Sequence, residues 1–137
     1  MGAPDSTIRA AFVARLNTFP SLPSVAWENV PFTPVNGVPY IKPFLLPGEP
    51  SQAEMGTLGA NRHVGVYQIS IYYPASTGTL GLGTLRDALI DHFRRGTPLV
   101  RSGVNISIQR AYAGPMMQET DWVFVPITIQ YFALASN

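Results

Sequence analysis

Residues 121–133 read DWVFVPITIQYFA, and they decide the fold. Val123, Val125, Ile127, Ile129 and Tyr131 occupy every second position, while Trp122, Phe124, Pro126, Thr128, Gln130 and Phe132 fill the alternate ones. Successive side chains of a strand point to opposite faces, so this two-residue period predicts a strand with its aliphatic face in a core. Thr128 and Gln130 suit water on the other face. Trp122, Phe124 and Phe132 do not, so that face is expected to be partly covered. The cover is either a neighbouring molecule or the N-terminal helix or proline-rich segment of the same chain.

The same alternation recurs upstream. Over Arg62–Tyr73, Tyr67, Ile69, Ile71 and Tyr73 share one face and Val64, Val66, Gln68, Ser70 and Tyr72 the other. Over Val104–Arg110, Val104, Ile106 and Ile108 alternate with Asn105, Ser107 and Gln109. Two stretches have a helical period instead. Ile8, Phe12, Leu16 and Phe19 form one stripe, with Asp5 or Ser6 as the expected cap and Pro20 and Pro23 as the stop. Leu82, Leu85, Leu89 and Phe93 form a second stripe in a helix expected over 79–95. Asp91 is set to pair with Arg95 there, and Gly96 to close the C-terminus. Trp27–Val30 is a candidate short strand. Tyr40–Leu46 is another, and Pro43 confines it to an edge or a bulge because proline has no N–H to donate. Two stretches lack any period and read as long loops, 47–61 and 111–120. Loops of this length are uncommon in compact domains and usually functional or disordered. The expected fold is α+β: one domain over 1–137, a mostly antiparallel sheet with both helices packed on one face.

Composition narrows the function. With 46% hydrophobic and only 12% charged residues, the surface repels copies of itself weakly. A net charge of +1 gives no global field for nucleic acid or an anionic membrane. Lys42 is the sole lysine beside eight arginines, which suits interfaces or simply reflects codon usage. The lack of cysteine excludes disulfides, thiolate catalysis and cysteine-bound zinc. No apolar run is long enough to span a membrane.

Catalytic chemistry is poorly represented. His63 and His92 are the only histidines, and no metal-ligand spacing surrounds them. No serine sits in a G-x-S-x-G elbow. Gly78, Gly81 and Gly83 lack the Lys-Ser or Lys-Thr of a phosphate loop, and serve better to bring a helix start close to the sheet. No cofactor is expected. A small hydrolase or ligand-binding domain would need a deep pocket with converging polar groups, and His63 and Glu28 would be its first candidates.

Several phrases, taken in order, resemble the tail terminators of long-tailed, siphovirus-like phages, in the lambda-type group. They are IRAAFVARL, VAWENVPFTP, PYIKPFLLPGEP, RHVGVYQISIYYPASTG, LRDALIDHFRRGT and WVFVPITIQY. The resemblance spans nearly the whole chain and implies a non-catalytic virion protein assembled in the bacterial cytoplasm. Its expected partners are copies of itself in a six-membered ring, the tail tube protein, and a head-completion or connector protein. The ring would stop tube growth at the head-proximal end, with DNA passing through it non-specifically and no membrane involved. Another neck or tail-tube component is the alternative. A ring needs heterologous contacts, one patch against a different patch. The residues expected to supply them are Glu49, Glu54, Met55, Leu58, Arg62, Met116, Met117, Trp122 and Phe124. Arg94, Arg95 and Arg101 are the candidates to face DNA in the lumen.

Overall fold

The computed structural model describes residues 4–136 apart from 21, 49–50, 53–59, 76–77, 79, 95, 97 and 102–103. In chain order the elements are α1 (Pro4–Asn17), β1 (Ser24–Val25), β2 (Tyr40–Pro47), β3 (Ser51–Gln52), β4 (Ala60–Pro74), α2 (Leu80–His92), β5 (Pro98–Arg101), β6 (Val104–Ala113), β7 (Met117–Gln118) and β8 (Trp122–Ser136). The fold is α+β. One sheet runs in the order β1-β2-β4-β8-β6-β5, with β3 beside β4 and β7 beside β8. All pairings are antiparallel except that of β1 with β2.

The two 15-residue strands β4 and β8 form the spine, paired from Ala60–Ser136 to Pro74–Trp122. Their aliphatic faces lie on one side and are buried from Tyr67 to Ile71 and from Val125 to Tyr131, with Tyr73 and Val123 half-buried at one end. Ile69, Ile71, Ile127 and Ile129 join Ile8, Phe12 and Leu16 of α1 and Leu82 and Leu89 of α2 in a single core. Both helices thus cover the same face, as their stripes require. At the centre Phe12 stacks on Tyr67 with centroids 4.6 Å apart, and it also touches Tyr131 and Phe93. The C-terminal ends of the helices are clasped together. Arg15 donates from Nε (3.1 Å) and Nη2 (2.9 Å) to the carbonyl of His92, cation against the negative end of α2. In return His92 Nε2 lies 2.8 Å from the carbonyl of Arg15, so that nitrogen carries the proton.

The expected loops at 47–61 and 111–120 are corrected. Pro47 pairs with Gly65 and Ser51 with Arg62; Ala113 pairs with Ile127 and Met117 with Phe124. On each flank the outer strand spends one residue more than the inner one and then resumes as β3 or β7. Each interruption opens on a glycine donating its N–H across the ladder at 2.7 Å, Gly48 to Val64 and Gly114 to Pro126. A Cβ would meet Val64 O at 2.9 Å in the first case and Pro126 Cγ at 2.9 Å in the second, so both positions require glycine. Residues 53–59 of the first loop lie outside the described residues.

Other boundaries also move. Trp27–Val30 is a turn, with Asn29 at φ 56°, and the short strand is Ser24–Val25. Its position follows from Ala26 N–H donating to Ile41 O at 2.8 Å, a partner that no local pattern reveals. Helix α1 starts at Pro4, ahead of the expected caps, where a proline in the first turn costs no hydrogen bond. Helix α2 ends at His92, and Gly96 (φ 88°) lies in the turn to β5 instead of closing the helix. Asp91 pairs with Arg94 at 3.6 Å, and Arg95 lies outside the described residues. Gly81 does bring the helix start against the sheet, since a Cβ there would lie 3.0 Å from Tyr73.

Candidate assembly surface

Among the described residues no helix packs on the second face of the sheet. Across four strands, Tyr40 of β2, Tyr72 of β4, Phe124 of β8 and Met117 of β7 stand in register in one row. Tyr40 and Tyr72 stack at 4.6 Å and 2°, and Tyr72 and Phe124 at 5.1 Å and 22°. Trp122 meets Tyr40 edge-on at 5.1 Å, and Phe32 from the proline-rich segment packs on Tyr40 at 5.1 Å. The chain therefore covers this row itself at the Tyr40 end. Tyr40 is buried, Tyr72, Trp122 and Phe124 are half-buried, and Met116 and Met117 are exposed. The hydroxyls of Tyr40 and Tyr72 are pushed above the usual phenol range. Burial is the main cause for both; Tyr72 adds to it for Tyr40, and the Glu119 carboxylate raises both further.

Farther along the same face lie exposed Lys42 and Arg110, the latter with its guanidinium 4.3 Å from the Tyr112 ring centroid. A register shift between Ile108 and Arg110 turns β6, so Ala111 follows the buried parity and Arg110 and Tyr112 take the open one. The expected alternation holds only up to this bulge.

Met117, Trp122 and Phe124 are thus brought together, with Met116 adjoining. Arg62 sits in β4 opposite Ser51 and Leu134, near the other end of the sheet. Glu49, Glu54, Met55 and Leu58 lie outside the described residues. Arg94 lies two residues beyond the end of α2, whereas Arg101 lines a shallow depression beside α1 with Ser6, Arg9 and Asn17. Tyr40 and Tyr72 are the members of the row that sequence reasoning missed. Alternation alone puts Tyr72 on this face, but its stacking on Tyr40 depends on the strand register.

The hydrolase candidates do not converge. Glu28 accepts from Arg9 Nε at 3.0 Å and from Leu45 N–H at 3.2 Å. His63 belongs to β4 four residues before Tyr67, the partner of Leu45, and so lies about 13 Å along the strand from that register. A groove of about 660 Å³ runs beside Glu28, Phe32, Tyr40 and Lys42, and its one carboxylate is already engaged. Among the described residues no three metal-ligating side chains cluster.

The family model described as "Phage tail terminator protein" matches residues 7–131. The chain belongs to the phage tail terminator family. A tail terminator is a structural protein of the phage tail, and this is not an enzyme family. Among solved structures, one chain without a functional name matches with a TM-score of 0.76 and 24% identity, covering 96% of each chain, which establishes a shared fold. A comparison with curated proteins yields no match. No helix among the described residues of this terminator is long and apolar enough to cross a membrane.

Proposed function

We propose that this tail terminator works by closing copies of itself into a ring, six subunits in the expected case. The ring caps the head-proximal end of the tail tube, stops tube polymerisation and offers a joining surface to a head-completion or connector protein. The family match over residues 7–131 carries this reading. It is supported by apolar side chains left in water, among them Met116 at 44%, Met117 at 40% and Val100 at 67% exposure, on a sparsely charged surface. Met116, Met117, Trp122 and Phe124 form the proposed contact to a neighbouring subunit or the tube, joined by Arg62 and by Glu49, Glu54, Met55 and Leu58. Arg94, Arg95 and Arg101 are proposed to supply weak, non-specific positive charge toward passing DNA.

Purified protein added to polymerising tail tubes, viewed by negative stain, tests the reading. A single ring at one end and tubes of uniform length are expected. Unchanged tube growth, or filaments of the protein itself, would overturn it, and filaments would favour a tube component.

A further inference from the structure

We propose that the segment between β1 and β2 of one subunit, centred on Thr33–Val35, adds as a strand to the open edge of β6 in the next subunit. This inference rests on the ring reading and specifies how neighbouring subunits meet.

The two edges of the sheet differ. Along β2 the groups pointing away from β4 belong to Ile41, Pro43, Leu45 and Pro47, because Gly48 N–H points toward β4 and the direction alternates. Each of these positions is closed to an incoming strand. Ile41 O is taken by Ala26, Pro43 and Pro47 have no N–H, and Leu45 N–H is held by Glu28. Natural sheets block unwanted strand addition by such devices.

The opposite edge is not closed in this way. Gly114 N–H points toward β8, so Tyr112 and Arg110 do as well, while Ala111 and Ala113 direct their N–H and C=O outward. β5 covers β6 only as far as Ser107. Among the described residues nothing bonds the outward groups of Ala111 and Ala113. Their methyl side chains turn inward and leave the edge sterically clear.

The occupant is indicated by the N–H groups the chain leaves unused at its other end, where Val35 O accepts from Val38 N–H at 3.0 Å and keeps its second lone pair. Thr33, Pro34 and Val35 are exposed, Val35 at 62%, and have no secondary structure. The N–H groups of Thr33 and Val35 have no partner among the described residues. In an extended segment they point to one side, and Pro34, which lacks an N–H, would have pointed to the other. The segment is therefore suited to pair along one edge only. It adjoins β2 through Phe32 and Tyr40, whereas the open edge is on β6, with β4 and β8 between them in the sheet. Donor and acceptor at opposite ends of one subunit give a head-to-tail contact, the kind that closes rings. A second copy is thus the occupant that supplies both halves of the match.

The chain has no cysteine, so an engineered pair reports cleanly. The strand adds antiparallel, with Thr33 opposite Ala113 and Val35 opposite Ala111, which sets Pro34 opposite Tyr112 at the centre. Pro34→Cys combined with Tyr112→Cys is expected to give an inter-subunit disulfide ladder on mild oxidation of the native protein, up to the full ring, with neither single variant passing dimer. Independently, Val35→Pro should weaken assembly about tenfold through one lost hydrogen bond, while Val35→Ala, which keeps the N–H, should not. Rings that form without the ladder, and that tolerate Val35→Pro, overturn this contact and leave the ring reading standing. A protein that never oligomerises overturns both.

Discussion

On the covered face of the sheet, Phe12 stacks on Tyr67 at 4.6 Å and both rings are sealed from water. On the bare face, Tyr40 stacks on Tyr72 at 4.6 Å and Tyr72 on Phe124 at 5.1 Å, yet Tyr72 and Phe124 stay half-buried. The same aromatic chemistry, at similar spacing, ends in two environments. On the covered side two helices complete the burial and hold the fold. On the bare side Phe32 reaches over Tyr40, and the rest of the row keeps apolar surface exposed, the surface proposed above for a contact with another subunit. Stability should therefore depend mainly on the first face and assembly on the second.

The largest effect belongs to the covered face. Phe12→Ala removes the ring that joins α1 to Tyr67, Tyr131 and Phe93, and should cost about 3–5 kcal/mol in denaturant unfolding. A loss below about 1 kcal/mol would mean that the helices are not what secures this face.

Alkali gives the next contrast. The Tyr67 hydroxyl is pushed far above the ordinary phenol range, by burial first and by the Glu28 carboxylate second, with Arg9 opposing. The unfolded chain loses this proton near pH 10 while the folded chain retains it. The native state then binds more protons, so the stabilisation present below pH 10 declines as pH rises beyond it. Urea midpoints between pH 8 and 11 should fall at the upper end, and Tyr67→Phe should flatten that fall. Tyr72, raised less strongly on the bare face, should contribute less.

Smaller stability changes are expected on the bare face. Phe124→Ala breaks one stacked pair and should cost about 0.5–1.5 kcal/mol beyond its lost burial, while impairing ring formation much more than Phe12 variants that still fold. Met117→Lys, at a position 40% exposed, should shift stability by no more than about 0.5 kcal/mol and still weaken assembly, as read by sedimentation. Normal assembly of both variants would place the subunit contact elsewhere.

Much of this division was legible in the residues. The period of 122–133 fixed a strand with an aliphatic face and an aromatic one, and the stripe Ile8, Phe12, Leu16 and Phe19 marked the helix that covers the aliphatic side. Pro43 is expected at an edge or a bulge, and it lies beyond the part of β2 that β1 covers, with its missing N–H on the outward side. What escaped depends on partners distant in sequence. Gly48 and Gly114, each followed within two residues by a proline, look like loop punctuation, yet each opens a one-residue bulge after which pairing resumes. A register shift such as that at Ile108–Arg110 is visible only against the opposing strand. The row of Tyr40, Tyr72, Phe124 and Met117 draws on four strands, so no single stretch of sequence contains it.

The most direct test is the absolute mass of the native protein by light scattering as its concentration is raised. One discrete closed species is expected, a fixed multiple of the subunit that stops growing once formed. A mass that stays at one subunit throughout, or that climbs without limit, contradicts it.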